Sequence, residues 1–297
     1  MSSIRELLLA AEGRNLAQVI KEQQAKDNDL TYEQCDEQIR NLLKVMKASH
    51  DCYQKDERSN SGLVGGEGAK VIEAYQEGKL LGGSYINEVI ATALKIAECN
   101  ACMKRIVAAP TAGSCGVLPA VLLPLKTEEK NLIDALYIAA AFGEVAADRA
   151  CIAGAAGGCQ AEIGVASAMA AAALTAIMGG DGAKCADAFA IALSNLLGLV
   201  CDPIAGLVEV PCVKRNVTGA LNAIGAANMV IAGCHSPVPV DEVIDAMGEV
   251  GALMHNSLKE TGRGGLANTP TGKRIAAQLS CSNGCADRSA VDPHEQD

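Results

Sequence analysis

The chain has 297 residues and a formal net charge of −10; 49% of its residues are hydrophobic, only 2% are aromatic, and Trp is absent. Without a basic stripe, that acidic balance argues against a nucleic-acid partner. A core short of large rings must be packed from Ala, Leu, Ile, Val and Gly, which favours helices in close approach, so the expected fold class is all-α.

In chain order, Ser3 to Glu6 has capping-box spacing ahead of Leu7-Leu8-Leu9. Thr31 to Gln34 repeats it ahead of Ile39, Leu42, Leu43 and Met46 at helical spacing. Residues 1–60 therefore read as a solvated helical cover. The glycines of Gly62–Gly68 only loosely resemble a phosphate loop, because the sequence G-x-x-x-x-G-K-[ST] is not met. Thr271-Gly272-Lys273 fails too, with Arg274 where Ser or Thr is needed, so an NTPase is rejected. Glu88 to Met103 reads as a helix carrying Cys99-Asn-Ala-Cys102. With Cys281 and Cys285 as a second pair, it makes a zinc-stabilised helical scaffold one alternative for the chain.

Ala109 to Ala120 is bounded by prolines and carries hydroxyls at Thr111 and Ser114, with Gly113 and Gly116 exposing backbone N–H groups. Such a loop can hold a small carboxylate; the alternative is a plain connection. Further helices are expected over Leu132–Phe142, Ala183–Val200, Asn216–Ala232 and Asp241–Leu258. In the last, Asp241 is the expected cap, with Val243, Met247 and Met254 on one face. Ile163 to Met178 is the most apolar run, but at 16 residues it is short for a membrane span and fits a buried core helix. No linker divides the chain. The expectation is a single helical domain over 1–297, with its core in 61–275 and a flexible tail in 276–297.

Thirteen cysteines is many for such a chain. No N-terminal run has a signal-peptide h-region, so they read as reduced thiols of a cytoplasmic protein. Gly154-Ala-Ala-Gly-Gly-Cys159-Gln-Ala-Glu162 puts a cysteine, after glycines, at the first turn of the most apolar helix. There the helix dipole and free N–H groups favour a thiolate, either nucleophile or metal ligand. The plain alternative is a buried packing cysteine. Cys201-Asp-Pro-Ile-Ala-Gly-Leu-Val-Glu-Val-Pro-Cys212 adds two more beside prolines, hence outside helix interiors. Three thiolates on such backbone could bind three irons of a cuboidal cluster and leave the fourth open as a Lewis acid.

These stretches, with Glu260-Thr261 through Thr271-Gly272, closely resemble the iron–sulfur-dependent L-serine dehydratases over about Gly62 to Gly272. The length is similar to that of the α chain of the two-chain form. The resemblance implies an all-helical catalytic chain whose Cys159, Cys201 and Cys212 hold an oxygen-labile 4Fe–4S cluster, with no PLP. It implies that L-serine is converted to pyruvate and ammonia, and that a β chain joins this one in a heterodimer or higher oligomer. The substrate carboxylate is expected at Thr111 and Ser114. Asn216, in Lys214-Arg215-Asn216 just after the third cysteine, is a further candidate substrate contact. In the family the second domain carries histidine-bearing segments, so the catalytic base is left unassigned on this chain. The family commonly has serines about where this chain has Cys151 and Ala153. An L-cysteine desulfidase with a similar cluster is the alternative activity. A PLP lyase would need a Schiff-base lysine that no stretch advertises.

Overall fold

A computed structural model describes residues 2–286, with side chains through Cys281. As the composition predicts, the described residues are helical, and among them β pairing is limited to an isolated parallel bridge between Cys201 and Lys259. Every described cysteine is a free thiol.

Three helices rather than two open the chain: α1 (Ile4–Ala10), α2 (Leu16–Asp27) and α3 (Tyr32–Asp51). The separate α2 is announced by Asn15, whose side chain accepts from Gln18 N–H. At Thr31 the capping box is reciprocal, as the spacing predicts. At Ser3 it is half-formed: Ser3 accepts from Glu6 N–H, while the Glu6 carboxylate turns to Ser2. Its second acid comes from afar. Asp241, expected to cap its own helix, instead accepts from Ile4 and Arg5 N–H, because that helix begins at Val240 with Pro239 ahead of it. The cover is also less solvated than expected, since Ile4, Leu16, Cys35 and Leu43 are buried in the main core.

The next elements are α4 (Glu67–Gln76), α5 (Ser84–Ala101), α6 (Val117–Leu122), α7 (Glu129–Arg149) and the short α8 (Gly154–Gly157). The chain then runs through a π-helical turn, Gln160–Gly164, into α9 (Val165–Ile177), followed by α10 (Gly182–Ser194), α11 (Cys212–Ile231), α12 (Val240–Leu253) and α13 (Pro270–Ala286). Residues 276–286 thus continue a helix where the sequence reads as tail.

At the centre lies α9, buried from Val165 to Thr175 and packed against α6, α7, α10 and α11. Gln160–Ile177 is long and apolar enough to cross a membrane, the one such helix among the described residues, yet 83% of it is buried inside the protein. Its alanines bring little area each, and small side chains let neighbours come close. At Gly219 of α11 a Cβ would sit 3.0 Å from both Ile163 Cγ2 and Val117 Cγ2. Ser167 of α9 adds a buried hydrogen bond to Gly219 O at 2.8 Å. This tight crossing sets the start of α11, and with it Cys212, beside the turn that carries Cys159.

Candidate active site

The turn that enters α9 is built residue by residue from its sequence. Gly158 has φ +77, and a Cβ there would press on Met254 Sδ at 2.7 Å and Leu199 O at 3.0 Å, so only glycine fits. Cys159 comes next and is buried. Gln160, fully buried, accepts from Gly198 N–H and donates to Met247 O, while its own N–H donates to Leu199 O. One side chain thereby fixes the turn to the chain before Cys201 and to α12. The π turn adds a residue to the helical repeat and rotates the side chains beyond it, a device that recurs at functional sites. The side chain it re-aims is Glu162.

Cys201 is held on the other side by paired backbone bonds: its N–H donates to Leu258 O, and Glu260 N–H donates to its carbonyl. Asp202 accepts from Arg215 Nη2 at 2.9 Å and from Leu266 N–H at 2.8 Å, joining the Gly264–Gly272 stretch to α11. Glu209, also buried, accepts from Ser59 and Ser61. Ala205 and Glu260 adopt left-handed backbone, with φ of 56° and 58°, a strained conformation for residues with a Cβ. Both flank Cys201.

The three sequence-predicted cysteines lie near enough to act on one another electrostatically, though they do not close on a single point. Burial first, then neighbouring thiols, push Cys201 and Cys212 up, the latter to about 12. Burial pushes Cys159 up to about 11, with the Arg215 guanidinium pulling the other way. The expected helix-dipole activation of Cys159 is outweighed by this desolvation. Arg215 itself stays charged: burial opposes it, but Cys159 and Asp202 outweigh burial. A Cβ on Gly154 would lie 3.3 Å from Cys201 Sγ and 2.5 Å from Glu162 Oε2, so only glycine lets the backbone pack this closely on both.

Thr111 reaches the same place. Its Oγ1 donates to Glu162 Oε1 at 2.7 Å. Ser114 is fully buried behind it, closing the turn with Thr111 Oγ1 at 3.2 Å. Asn216 is also buried, and its bonds go to backbone: Oδ1 accepts from Gly116 N–H, and Nδ2 donates to Gly113 O and Cys212 O. It bolts the hydroxyl loop to the third cysteine. Lys214 points away and pairs with Glu67 at 3.1 Å. Glu162 shares its stretch with Cys159, and sequence reasoning assigns it no role. Burial raises its pKa, Thr111 opposes that, and Glu260 adds to it.

The zinc alternative finds its residues elsewhere. Cys99 is buried on α5, with its Sγ 3.8 Å from that of Cys52; Cys102 is half-buried and Cys281 is exposed on α13. Cys285 lies outside the described side chains. Among the described residues no group of three or more His, Cys, Asp or Glu side chains closes on a single ion.

A family model described as serine dehydratase alpha chain matches residues 11–267. The chain belongs to that family. Among its relatives, a probable L-serine dehydratase alpha chain of Bacillus subtilis is 44% identical over 283 residues, covering 93% of this chain and 94% of the relative. The L-serine dehydratase alpha chain of Peptoniphilus asaccharolyticus is 40% identical over 284 residues, 93% of this chain and 97% of its own. The L-serine dehydratase of Helicobacter pylori is 37% identical over 244 residues, 77% of this chain but 54% of that longer protein. Cys159, Cys201 and Cys212 lie wholly inside the matched span.

The donor set fits an iron–sulfur cluster. In a cuboidal cluster each thiolate takes its own iron, so three sulfurs need not meet at one point. Three free, buried thiols on separate chain segments have that character.

Proposed function

We propose that this chain is the catalytic α chain of an L-serine dehydratase, a cytoplasmic lyase that works with a β chain and holds a 4Fe–4S cluster through Cys159, Cys201 and Cys212. The observation that carries the reading is the convergence of those three buried thiols, beside Arg215 and Glu162, in a chain of this family. The names of its relatives favour serine over cysteine as substrate, and the alpha-chain names favour a β partner.

When bound, such a cluster supplies a Lewis-acidic iron that stabilises the charge of a departing hydroxide. The chain's own residues do the rest of the positioning. Arg215 places a fixed positive charge against the Cys159 sulfur, offsetting thiolate charge in a buried site. To donate to the substrate carboxylate, the Thr111 hydroxyl turns its one proton from Glu162, with Ser114 holding the turn behind it. Asn216 keeps that turn in register with Cys212, so the carboxylate end and the hydroxyl end of the substrate are held at a fixed spacing. Loss of water from serine leaves an enamine, and its hydrolysis gives pyruvate and ammonia.

The test is iron and acid-labile sulfide per chain after anaerobic purification with a co-expressed β chain, followed by pyruvate formation from L-serine. About four of each, with an air-bleached visible band and serine turnover, is the expected result. Zinc without sulfide, after reconstitution has also failed, would overturn it.

A further inference from the structure

Serine carries three polar groups on two adjacent carbons. The serine dehydratase reading gives the hydroxyl to the cysteine side and the carboxylate to the Thr111 loop, and leaves the ammonium without a partner. Between those two places stands Glu162. A Cβ on Gly113, in the hydroxyl loop, would lie 3.4 Å from Glu162 Oε1; one on Gly154 would lie 2.5 Å from Oε2 and 3.3 Å from Cys201 Sγ. The carboxylate therefore packs against both glycine backbones and reaches from the Thr111 turn to Cys201.

Its bonding is incomplete. Thr111 Oγ1 donates to Oε1, and among the described residues no Lys, Arg or His pairs with this carboxylate. The nearby Arg215 is committed to Asp202 and to Val200 O. Glu260, pinned beside Cys201 by its own N–H, adds negative charge to the same cleft. A half-buried carboxylate with one hydrogen bond and no counter-ion is open to a cation. Glu162 lies within the π turn, a departure from regular helix that recurs at functional sites.

We propose that Glu162 binds the α-ammonium group of the amino-acid substrate, an assignment that rests on the serine dehydratase reading. It makes the site selective for α-amino acids over α-hydroxy acids, which offer the same carboxylate and no cation.

The experiment uses the cluster-loaded α–β enzyme and two unreactive probes. L-Alanine keeps the ammonium and carboxylate, and glycerate replaces the ammonium with a hydroxyl. Affinities are read by calorimetry. In Glu162→Gln, L-alanine affinity should fall about 10- to 100-fold, the range for a charge-assisted hydrogen bond, while glycerate affinity holds within about two-fold. The KM for L-serine should rise with L-alanine and kcat should change less. Glu162→Asp, which keeps the charge but draws it back, should fall between wild type and Glu162→Gln, and far-UV circular dichroism checks both folds. Unchanged L-alanine affinity would overturn the proposal. So would a collapse of kcat with L-alanine affinity retained, since Glu162 would then be moving a proton. A wild-type enzyme that holds the cluster yet neither binds L-alanine nor turns over serine would withdraw the underlying reading too.

Discussion

Two groups of cysteines sit in this fold, and they are built differently. Cys159, Cys201 and Cys212 come from three chain segments tied in by bonds: Gln160 to Met247 O and Gly198 N–H, Cys201 to Leu258 and Glu260, and Arg215 of α11 to Asp202. Cys52 and Cys99 lie at the ends of α3 and α5, with their sulfurs 3.8 Å apart and Cys102 one turn on. Burial raises Cys99 as much as it raises the first group, to about 12. Burial and thiol density are therefore common to both. What separates them is the buried guanidinium, which only the first group has; an incompletely bonded carboxylate stands beside each, Glu162 in the first and Glu98, whose Oε2 has no partner, next to Cys99. A buried positive charge against the sulfurs therefore marks the first group, and the second, without one, has the character of packing.

The largest effect should come from removing a sulfur of the first group. Cys159→Ala, Cys201→Ala and Cys212→Ala should each abolish serine turnover and lower iron per chain in anaerobically purified enzyme. Full activity with full iron in any one of them would take that residue out of the ligand set. The next largest should come from Asp202→Ala. It leaves the buried Arg215 guanidinium without its partner, at a cost of about 3 kcal/mol or more, and frees Leu266 N–H as well. Urea unfolding measures the stability, and iron content shows whether the cysteines stay in place. Asn216→Ala should cost about 2 kcal/mol, because it strands Gly116 N–H and two carbonyls in a buried place. It should also raise KM for serine by releasing the Thr111 loop.

A pH titration sharpens the contrast. In the metal-free chain Cys159 is pushed to about 11 and Cys212 to about 12, from an ordinary thiol value of 9.0. The folded chain then keeps protons that the unfolded chain releases. The stability this contributes is full below pH 9 and is lost as pH rises through 11 to 12. Metal-bound sulfurs have no such protons to lose. Alkaline unfolding should therefore be steeper for the metal-free chain than for the loaded one, while Cys99 contributes equally to both.

Much of this was legible in the sequence where one residue type determines one local outcome. The poverty in aromatic residues pointed to close-packed helices, the apolar run to α9, Thr31 and Gln34 to a capping box, and the family stretches to the serine dehydratase alpha chain family. What was not legible depends on partners distant in sequence. Asp241 has the look of an N-cap for its own helix, and nothing local says it will serve Ile4, 237 residues away. Asn216 reads as a candidate substrate contact after Cys212, and only the packing of α11 against the Thr111 loop consumes its bonds. Glu162 stands in a π turn, which has no sequence signature. The one hint was a carboxylate three residues past a cysteine in an otherwise apolar run.

The smallest effects should come from the second cysteine group. Cys52 is exposed, its S–H donating to Ser49 O at 3.3 Å, and Cys52→Ser keeps a donor of nearly the same size. Its cost should be under about 0.5 kcal/mol. Cys99 is 2% exposed, and Cys99→Ala leaves a void of one sulfur, costing about 1 kcal/mol. Neither should change iron per chain, and serine turnover should stay within about two-fold. The value of the pair is that burial and chemistry are separated: Cys99 is as buried as Cys201, yet it touches neither Arg215 nor Glu162. If Cys99→Ala removed iron as Cys201→Ala should, thiol burial rather than the surrounding charges would be what governs metal retention, and the contrast between the two groups would fail.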